Sequence, residues 1–431
     1  MDIFLLTRKH KSFTPVFVNK ETKITEETFM NHNNVNKHAL IFGFISVFLT
    51  GVGLTIVNPV IPFLVVPYVN ESQQATIVTF LAAAYAAALF LAAPILGNLS
   101  DRFGRRPVLL ISLLGAALGY LIFGIGGSLA LLFLGRIIDG LTGGEIAALF
   151  AYFADITPPQ KRTRFFGWIS ATVGIGTALG PVIGGILANW GNNMPFFVGA
   201  VICLLNATYG FIFMPETLPL DKRKQKITWH HLNPLQQLIK ILTLPVINRI
   251  LFTGFLLWLP NGGLQAIFSQ FSIDTFAWKP TLIGVMFAMI GILDIFSQTL
   301  IMPVLLRHFS DQKIISLGMI AEIFGYFFIG MAYLAHTSSI FVGGMILFSL
   351  GDAIFCPAFN GLLSKMTAEN SQGQVQGGAQ SIQALARIIG PLLIGQLYRI
   401  TPISPAIAGV FFILCALLFL KHQKLPVPLE K

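Results

Sequence analysis

Long apolar runs separated by short polar segments dominate the pattern of this chain. Each run holds about 20 residues, which is the length that an α-helix needs to cross the hydrocarbon core of a bilayer. The pattern predicts an all-α integral membrane protein with twelve spans. The predicted spans, numbered 1 to 12 in chain order, cover residues 39–64, 75–97, 107–126, 129–154, 165–188, 195–214, 249–272, 281–306, 313–335, 339–363, 376–399 and 405–420.

The second half of the chain repeats the first half at a fixed offset. The matching pairs are Ser100 and Ser310, Asp101 and Asp311, Gly167 and Gly377, Gly180 and Gly390, and Pro181 and Pro391. Repeated bundles are typical of secondary transporters, in which two halves move around a site at their interface. We therefore predict two pseudo-symmetric six-helix bundles, at 39–214 and 249–420. They are joined by a linker at 215–248 and flanked by a disordered tail at 1–38 and a short tail at 421–431.

Lys and Arg residues collect in alternate loops, as expected for segments on the cytoplasmic side of a membrane. The tail 1–38, the loops after spans 2 and 4 and the linker are basic, whereas the opposite side holds only Lys279 and Arg399. This asymmetry predicts a multi-pass inner-membrane protein with both termini in the cytoplasm. The net charge of +10 is then an orientation signal, and a nucleic-acid surface is disfavoured because the basic residues are dispersed.

Composition excludes a soluble globule, because 55% of the residues are hydrophobic, 11% are charged and the mean hydropathy is +0.75. Cys203, Cys356 and Cys415 lie inside predicted spans without the spacing of metal ligands, so we interpret them as small core residues. The spans contain no catalytic constellation of Ser, His and Asp. We therefore expect neither an enzyme nor a metal site, no cofactor, and a protein that works as a monomer.

The loop after span 2 combines glycines with fixed charges. Gly97 and Gly104 are predicted to supply positive φ in a tight turn. An acid followed by cations can bind a neighbouring helix end and lock the bundle in one state, although basic residues alone would also serve as an orientation signal. The predicted gating residues are Gly97, Asp101, Arg102, Gly104, Arg105 and Arg106. Their order matches the pattern G-x-x-x-D-R-x-G-R-R, and the chain thus resembles the major facilitator superfamily.

Span 5 carries a second glycine pattern, formed by Gly167, Gly176, Gly180, Pro181, Gly184 and Gly185. Glycines at this spacing predict close helix contacts between the bundles and a weakened helix at Pro181. The spacing resembles that of drug/proton antiporters, and the stretch 135–216 is similar to tetracycline/proton antiporters. This resemblance implies export of a bulky amphiphilic solute in exchange for protons.

Ionisable residues inside spans cost free energy in lipid and are functional when they face a cavity. Arg136 and Asp139 are three residues apart and can pair; the resemblance implies that Arg136 takes part in proton transfer. Glu145 points to the opposite face of span 4, where it either serves a neighbouring helix or is a structural carboxyl. The predicted proton-coupling residues are Arg136, Asp139, Glu145, Asp294, Glu322, Asp352 and Arg387.

The resemblance to tetracycline exporters includes departures. Asp294 and Gln298 align with a histidine and a glutamine that take part in coupling, and Glu322 aligns with an acidic residue. Aspartate titrates in a different pH range from histidine, so the pH dependence is expected to differ. Thr50 and Gly119 stand where those exporters have acids, which argues against tetracycline itself as the cargo. The added acids Asp139, Glu145 and Asp352 imply a rearranged proton route, with structural ion pairing as the alternative for each of these three.

A solute site is expected near the midplane, where Pro and Gly break helices in spans 1 and 7. Span 11 presents Gln380, Gln383, Arg387 and Pro391 on one stripe, plausible as a cavity wall. The predicted solute-binding residues are Asn58, Trp258, Asn261, Gln265, Gln298, Gln380 and Gln383. We expect alternating access, with small-molecule cargo exchanged for protons carried by Asp294 or Glu322. A proton-coupled importer of a metabolite and a membrane receptor are the alternatives.

Overall fold

The computed structural model of the protein describes most of the chain, and nearly all of its described residues are helical, with no strand among them. The described residues are 37–143, 146–157, 162–223, 245–367 and 372–422. The expectations for the first tail, for Glu145, for most of the linker and for the last residues of the chain fall outside these ranges.

The first half contains spans 1 to 6. Their helices are Lys37–Thr55 and Ile61–Val65 in span 1, Glu71–Phe103 in span 2, Arg105–Ile125 in span 3, Leu129–Thr142 and Ile146–Ile156 in span 4, Arg162–Leu187 in span 5 and Met194–Phe213 in span 6. Span 1 is interrupted around Asn58 and Pro59, as predicted, because proline lacks an N–H and disfavours a helical residue before it.

The second half contains spans 7 to 12. Their helices are Pro245–Phe276 in span 7, Pro280–Phe296 and Met302–His308 in span 8, Asp311–Ala335 in span 9, Ser338–Lys365 in span 10, Gln372–Ile400 in span 11 and Ser404–His422 in span 12. A π-helical turn, Ser297–Ile301, joins the two pieces of span 8. The predicted break in span 7 is wrong, since the helix continues through Pro260. Neighbouring packed helices can support a proline-containing turn in this way.

Ten of the described helices are long and apolar enough to cross a membrane. The other two spans differ for separate reasons. Span 4 is described in two pieces, and span 11 carries a series of glutamines together with Arg387. All twelve spans together form the two predicted six-helix bundles.

The two halves meet through two equivalent pairs of helices. Span 5 packs along span 8, and span 11 packs along span 2. The offset that relates the halves converts one pair into the other, because span 11 is the repeat of span 5 and span 8 is the repeat of span 2. This arrangement leaves the remaining spans on either side of a central space.

The glycines of span 5 serve mainly a contact inside the first half. A Cβ atom at Gly176 would lie 2.6 Å from the carbonyl oxygen of Phe48 in span 1, and one at Gly184 would collide with the carbonyl oxygen of Ile56. Two members of the predicted set contact span 8 closely: a Cβ at Gly185 would lie 2.5 Å from the carbonyl oxygen of Pro280, and a Cβ at Gly284 of span 8 would collide with the carbonyl oxygen of Pro181.

One part of the span 5 prediction is corrected. A Cβ at Gly167 would meet no atom of the described residues within 4 Å, so this glycine makes no close helix contact with them. The helix continues through Pro181. The pattern of small residues predicted close packing but could not assign the partner helix, because spans 1 and 8 flank span 5 on different faces.

We predict that Gly184→Ala destabilises the protein, because the added methyl group must push spans 1 and 5 apart. Overpacking of this kind costs about 1–3 kcal/mol. The measurement is the thermal unfolding of purified protein in detergent. Gly174→Ala is the matched control, since a Cβ there meets no atom within 4 Å and we expect no loss of stability. Equal behaviour of the two variants would contradict the proposed packing.

Candidate functional site

A large cavity lies between the two halves. Its volume is about 790 Å³, and its lining extends from Gln383 and Arg387 in span 11 to Asp101 and Arg105, where spans 2 and 3 meet at Gly104. We call this end of the bundle the turn end. A cavity of this size suits a drug-sized ligand.

Contacts between the halves close the end opposite the turn end. The hydroxyl of Ser269 donates a hydrogen bond of 2.6 Å to the carbonyl oxygen of Asn58. The hydroxyl of Thr281 donates one of 3.1 Å to the carbonyl oxygen of Gly185. The described residues thus form a bundle that is open toward the turn end and closed at the other end.

The two walls of the large cavity differ in polarity. The first half contributes an apolar surface away from the turn end, formed by Leu54, Ala86, Leu89, Phe90 and Ala93. Span 11 contributes hydrogen-bonding and charged side chains, namely Gln380, Ser381, Gln383 and Arg387. The predicted polar stripe of span 11 therefore faces the cavity, except for Pro391, which is buried.

A smaller cavity of about 170 Å³ lies within the second half. Trp258, Asn261 and Gln265 of span 7 line it, as does Asp352 of span 10. Gln383 and Arg387 also line it, so the two cavities share these residues. The structure thus brings most of the predicted solute-binding residues together around one connected space.

Two predicted solute-binding residues lie elsewhere. Asn58 sits at the closed end, and Gln298 lines neither cavity. The amide of Gln298 donates a hydrogen bond of 2.8 Å to Asp294, which confirms that these residues share a face of span 8. The π-helical turn begins three residues after Asp294, and an inserted turn of this kind shifts the direction of the side chains that follow.

The main cluster of buried acids surrounds Asn261. Its Nδ2 atom donates to Glu322 Oε2 at 2.9 Å and lies 3.4 Å from Asp352 Oδ1. The hydroxyl of Tyr326 donates to Asn261 Oδ1 at 3.1 Å, which fixes the orientation of the amide. Glu322 is fully buried, and its Oε1 has no hydrogen-bond partner among the described residues. No sequence pattern indicated Tyr326, because its role depends on how spans 7 and 9 pack.

Among the residues described in the first half, Arg136 and Asp139 form a buried ion pair near the cavity. Arg136 Nη1 lies 2.7 Å from Asp139 Oδ2, which confirms the predicted pairing. The guanidinium also lies over the ring of Tyr85, with 3.9 Å between its carbon and the ring centroid. A cation between a carboxylate and an aromatic face is stabilised from both sides.

The missing acid of span 3 has a structural explanation. A Cβ at Gly119 would lie 2.8 Å from the backbone nitrogen of Asp139 and 3.0 Å from its Cβ. Asp139 therefore occupies the space into which a side chain at position 119 would extend. Thr50, which stands at the other departure, lines the large cavity.

Arg105 is the centre of a polar network at the turn end. Its Nη1 lies 2.5 Å from Asp101 Oδ1 and 3.0 Å from Ser100 Oγ. Its Nε lies 3.0 Å from Asp155 Oδ2 at the end of span 4. The predicted contact between the loop and a neighbouring helix end is thus present. Arg102, in contrast, contacts the ring of Phe103 and forms no ion pair among the described residues.

A single residue forms the turn itself. Gly104 has φ of +106°, as predicted, whereas Gly97 lies inside the helix of span 2, so its predicted positive φ is wrong. The carboxylate of Glu216 accepts hydrogen bonds from the backbone nitrogens of Arg105 and Arg106 at 2.8 and 3.2 Å. An anion at a helix N-terminus satisfies free N–H groups there. Sequence reasoning missed this contact, because Glu216 lies beyond span 6.

The second half has a simpler version of the same network. Lys365 Nζ lies 2.6 Å from Asp311 Oδ2. The offset that aligns Asp101 with Asp311 also aligns Asp155 with Lys365. Two acids bridged by Arg105 in the first half are therefore replaced by one direct ion pair. The repeat could have predicted this pair, had the offset been extended to the end of span 10.

We predict that Arg105→Gln lowers the free energy of unfolding by about 2 kcal/mol, measured by thermal or denaturant unfolding in detergent. Breaking a buried ion pair costs about 3–5 kcal/mol, and the partial exposure of Asp101 and Asp155 reduces this figure. Arg102→Gln is the matched control in the same loop, with an expected change within about 0.5 kcal/mol. Similar losses in both variants would contradict the network.

Comparisons with known proteins assign the chain to a family. The family model of the Major Facilitator Superfamily matches residues 43–391 and again residues 250–430. The chain is 35% identical over 363 residues to the tetracycline resistance protein, class C, of Escherichia coli, covering 84% of this chain and 90% of that protein.

Solved structures show the same fold. The nucleoside transporter NupG matches with a TM-score of 0.71 and 14% identity, over 90% of this chain and 98% of its own. A D-xylose-proton symporter matches with a TM-score of 0.69 and 16% identity, over 89% of this chain and 97% of its own. The expectation of a transporter and not an enzyme is confirmed by these family relationships. The chain is a multi-pass membrane transporter that belongs to the Major Facilitator Superfamily.

Proposed function

We propose that this protein exports a small amphiphilic solute in exchange for protons, by alternating access across the bacterial inner membrane. In this proposal both termini and the turn end face the cytoplasm, the protein works as a monomer, and the proton gradient is the driving force without any cofactor. The units that move against each other are the two halves, 39–214 and 249–420.

The relatives support the direction of transport. The chain is 35% identical to a tetracycline resistance protein, and resistance by a membrane transporter is achieved by export. Span 5 also carries the glycine spacing that resembles drug/proton antiporters. Thr50, Gly119 and Asp294 depart from the tetracycline exporters, so the proposed cargo is a small amphiphilic solute and not tetracycline in particular.

The observation that carries the proposal is the pair of acids around Asn261. Glu322 is fully buried, and the same Asn261 amide nitrogen contacts both Glu322 and Asp352. Two negative charges held this closely in a water-poor interior repel each other, and a bound proton removes the repulsion. Proton binding is therefore coupled to the charge of a site that lies beside the smaller cavity.

Alternating access links this site to the two sides of the membrane. In the described state the large cavity is open toward the turn end, where solute would enter from the cytoplasm. A ligand shifts a two-state equilibrium only if it binds the two states unequally. We propose that the solute favours a deprotonated site and that protons arriving from the opposite side displace it, which gives exchange.

The first half contributes a second charge pair. Arg136 and Asp139 are buried together, and Asp139 lies against Gly119 of span 3. In the proposal this ion pair stabilises the first half while Asp139 is deprotonated, and movement of span 4 changes the surroundings of the pair. Glu145 and the half-buried Asp294 are further candidates for proton coupling, with Arg387 as a cation that faces the cavity.

The decisive experiment is solute uptake into everted membrane vesicles that carry an inside-acid pH gradient. The solute is first identified by an efflux screen of amphiphilic compounds in a host that lacks other pumps. We predict that collapsing the gradient abolishes uptake. Glu322→Gln is expected to lower gradient-driven uptake by about tenfold or more, because a permanently neutral side chain cannot exchange a proton.

Asp294→Asn, tested separately, shows whether the partly exposed acid of span 8 also carries protons. Asp221→Asn is the matched control, since Asp221 is an exposed acid outside the spans. Uptake that survives both loss of the gradient and Glu322→Gln would overturn proton coupling. If collapse of the gradient in intact cells lowered solute accumulation, the protein would instead be a proton-coupled importer.

A further inference from the structure

Two opposite charges face the smaller cavity without pairing with each other. Asp352 and Arg387 both line this cavity of about 170 Å³. The ion pairs found among the described residues involve Asp101, Asp139, Asp155, Glu216 and Asp311, and none of them includes Asp352 or Arg387. Asp352 and Arg387 attract each other across the cavity without forming a contact ion pair. Charges at membrane depth are costly and mark a functional site.

Arg387 differs from the other arginines that lie deep in the bundle. Arg136 and Arg105 are buried, and each is held by a carboxylate. Arg387 is exposed to the cavities and makes no hydrogen bond or ion pair with any residue in the described ranges. Its five N–H donors are therefore free for an anionic group, which a guanidinium binds in a bidentate manner.

Asp352, which lines the same smaller cavity as Arg387, is positioned to bind a cation. Its Oδ1 contacts Asn261 at 3.4 Å and the thiol of Cys356 at 3.9 Å, both long distances for hydrogen bonds. Its Oδ2 has no hydrogen-bond partner among the described residues, and the side chain is only half-buried. The carboxylate thus has capacity for a further donor that comes from the cavity.

The rest of the space is suited to a flat apolar body. Trp258, Phe268, Phe287 and Phe348 contribute aromatic surface to the smaller cavity. The wall that the first half contributes to the large cavity is apolar opposite span 11. A molecule held by its charged groups in the second half could place its apolar part against spans 1 and 2.

We infer that the cargo is a zwitterionic amphiphile whose anionic group binds Arg387 and whose ammonium group binds Asp352. The inference rests on the proposed function and specifies its substrate class. A cationic group at Asp352 competes with a proton for the same carboxylate, so that solute and proton still exclude each other, as exchange requires. A purely anionic cargo would bind Arg387 but would not compete with a proton at Asp352.

The test is equilibrium binding to the purified protein in detergent at pH 7, followed by probe fluorescence. Two scaffolds are used, norfloxacin and Nε-dansyl-lysine, each of which carries an ammonium and a carboxylate. Each is compared with its methyl ester, which is only cationic, and with its N-acetyl derivative, which is only anionic. We expect at least one of the zwitterions to bind about tenfold or more tightly than both of its derivatives.

The variants assign each charge to its residue. Arg387→Gln is expected to lower affinity for the zwitterion to that for the ester, while binding of the ester is unchanged and shows that the variant is folded. Asp352→Asn is expected to lower affinity for the zwitterion to that for the N-acetyl derivative, while binding of the N-acetyl derivative is unchanged. Arg387→Lys should retain part of the preference, and Arg307→Gln, an exposed arginine at the end of span 8, should retain all of it.

The inference is overturned if neither zwitterion binds better than its derivatives, or if Arg387→Gln weakens zwitterion and ester equally. Its failure can be separated from failure of proton coupling, because binding is measured without a gradient. A preserved charge preference together with gradient-independent vesicle uptake would reject coupling alone. Coupled uptake without a charge preference would reject the zwitterionic cargo alone.

Discussion

The cost of an uncompensated charge inside a membrane organises this protein. Arg136 and Asp139 neutralise each other, and Glu322 and Asp352 share the amide of Asn261. The second arrangement ties the charge of its site to the packing of spans 7, 9 and 10, which supply Asn261, Glu322 and Asp352. A change in protonation therefore changes which packing is favoured, and this is the physical basis on which a transporter with two pseudo-symmetric halves can exchange ions for solute.

Most of the fold could be predicted because lipid leaves few alternatives to a helix of sufficient length. The run lengths predicted the spans, and the repeat predicted two six-helix bundles. The interruption of span 1 at Pro59 was predicted, whereas the same argument failed at Pro260, where the helix continues. A proline in the local sequence indicates that one backbone hydrogen bond is lost, but packing by neighbouring helices decides whether the helix breaks. The π-helical turn after Asp294 had no sequence signal for the same reason.

The candidate site was predictable where one helix decides the geometry. The pair Arg136 and Asp139 follows from their spacing, and the stripe of span 11 follows from helical periodicity. Contacts between helices were not predictable. Tyr326 orients Asn261, and Glu216 caps span 3, although each comes from another part of the chain. The crossing of spans 3 and 4 also hid the relation between Gly119 and Asp139, because it depends on a close backbone approach that only coordinates reveal.

Solute and proton compete for the acids around Asn261, and proton release on solute binding is the quantity that tests this competition. Calorimetric titration of the protein with solute in two buffers of different ionisation enthalpy gives the number of protons released. We expect proton release by the unaltered protein and none by the double variant Glu322→Gln, Asp352→Asn. Solute binding to the unaltered protein without any proton exchange would show that solute and proton do not compete.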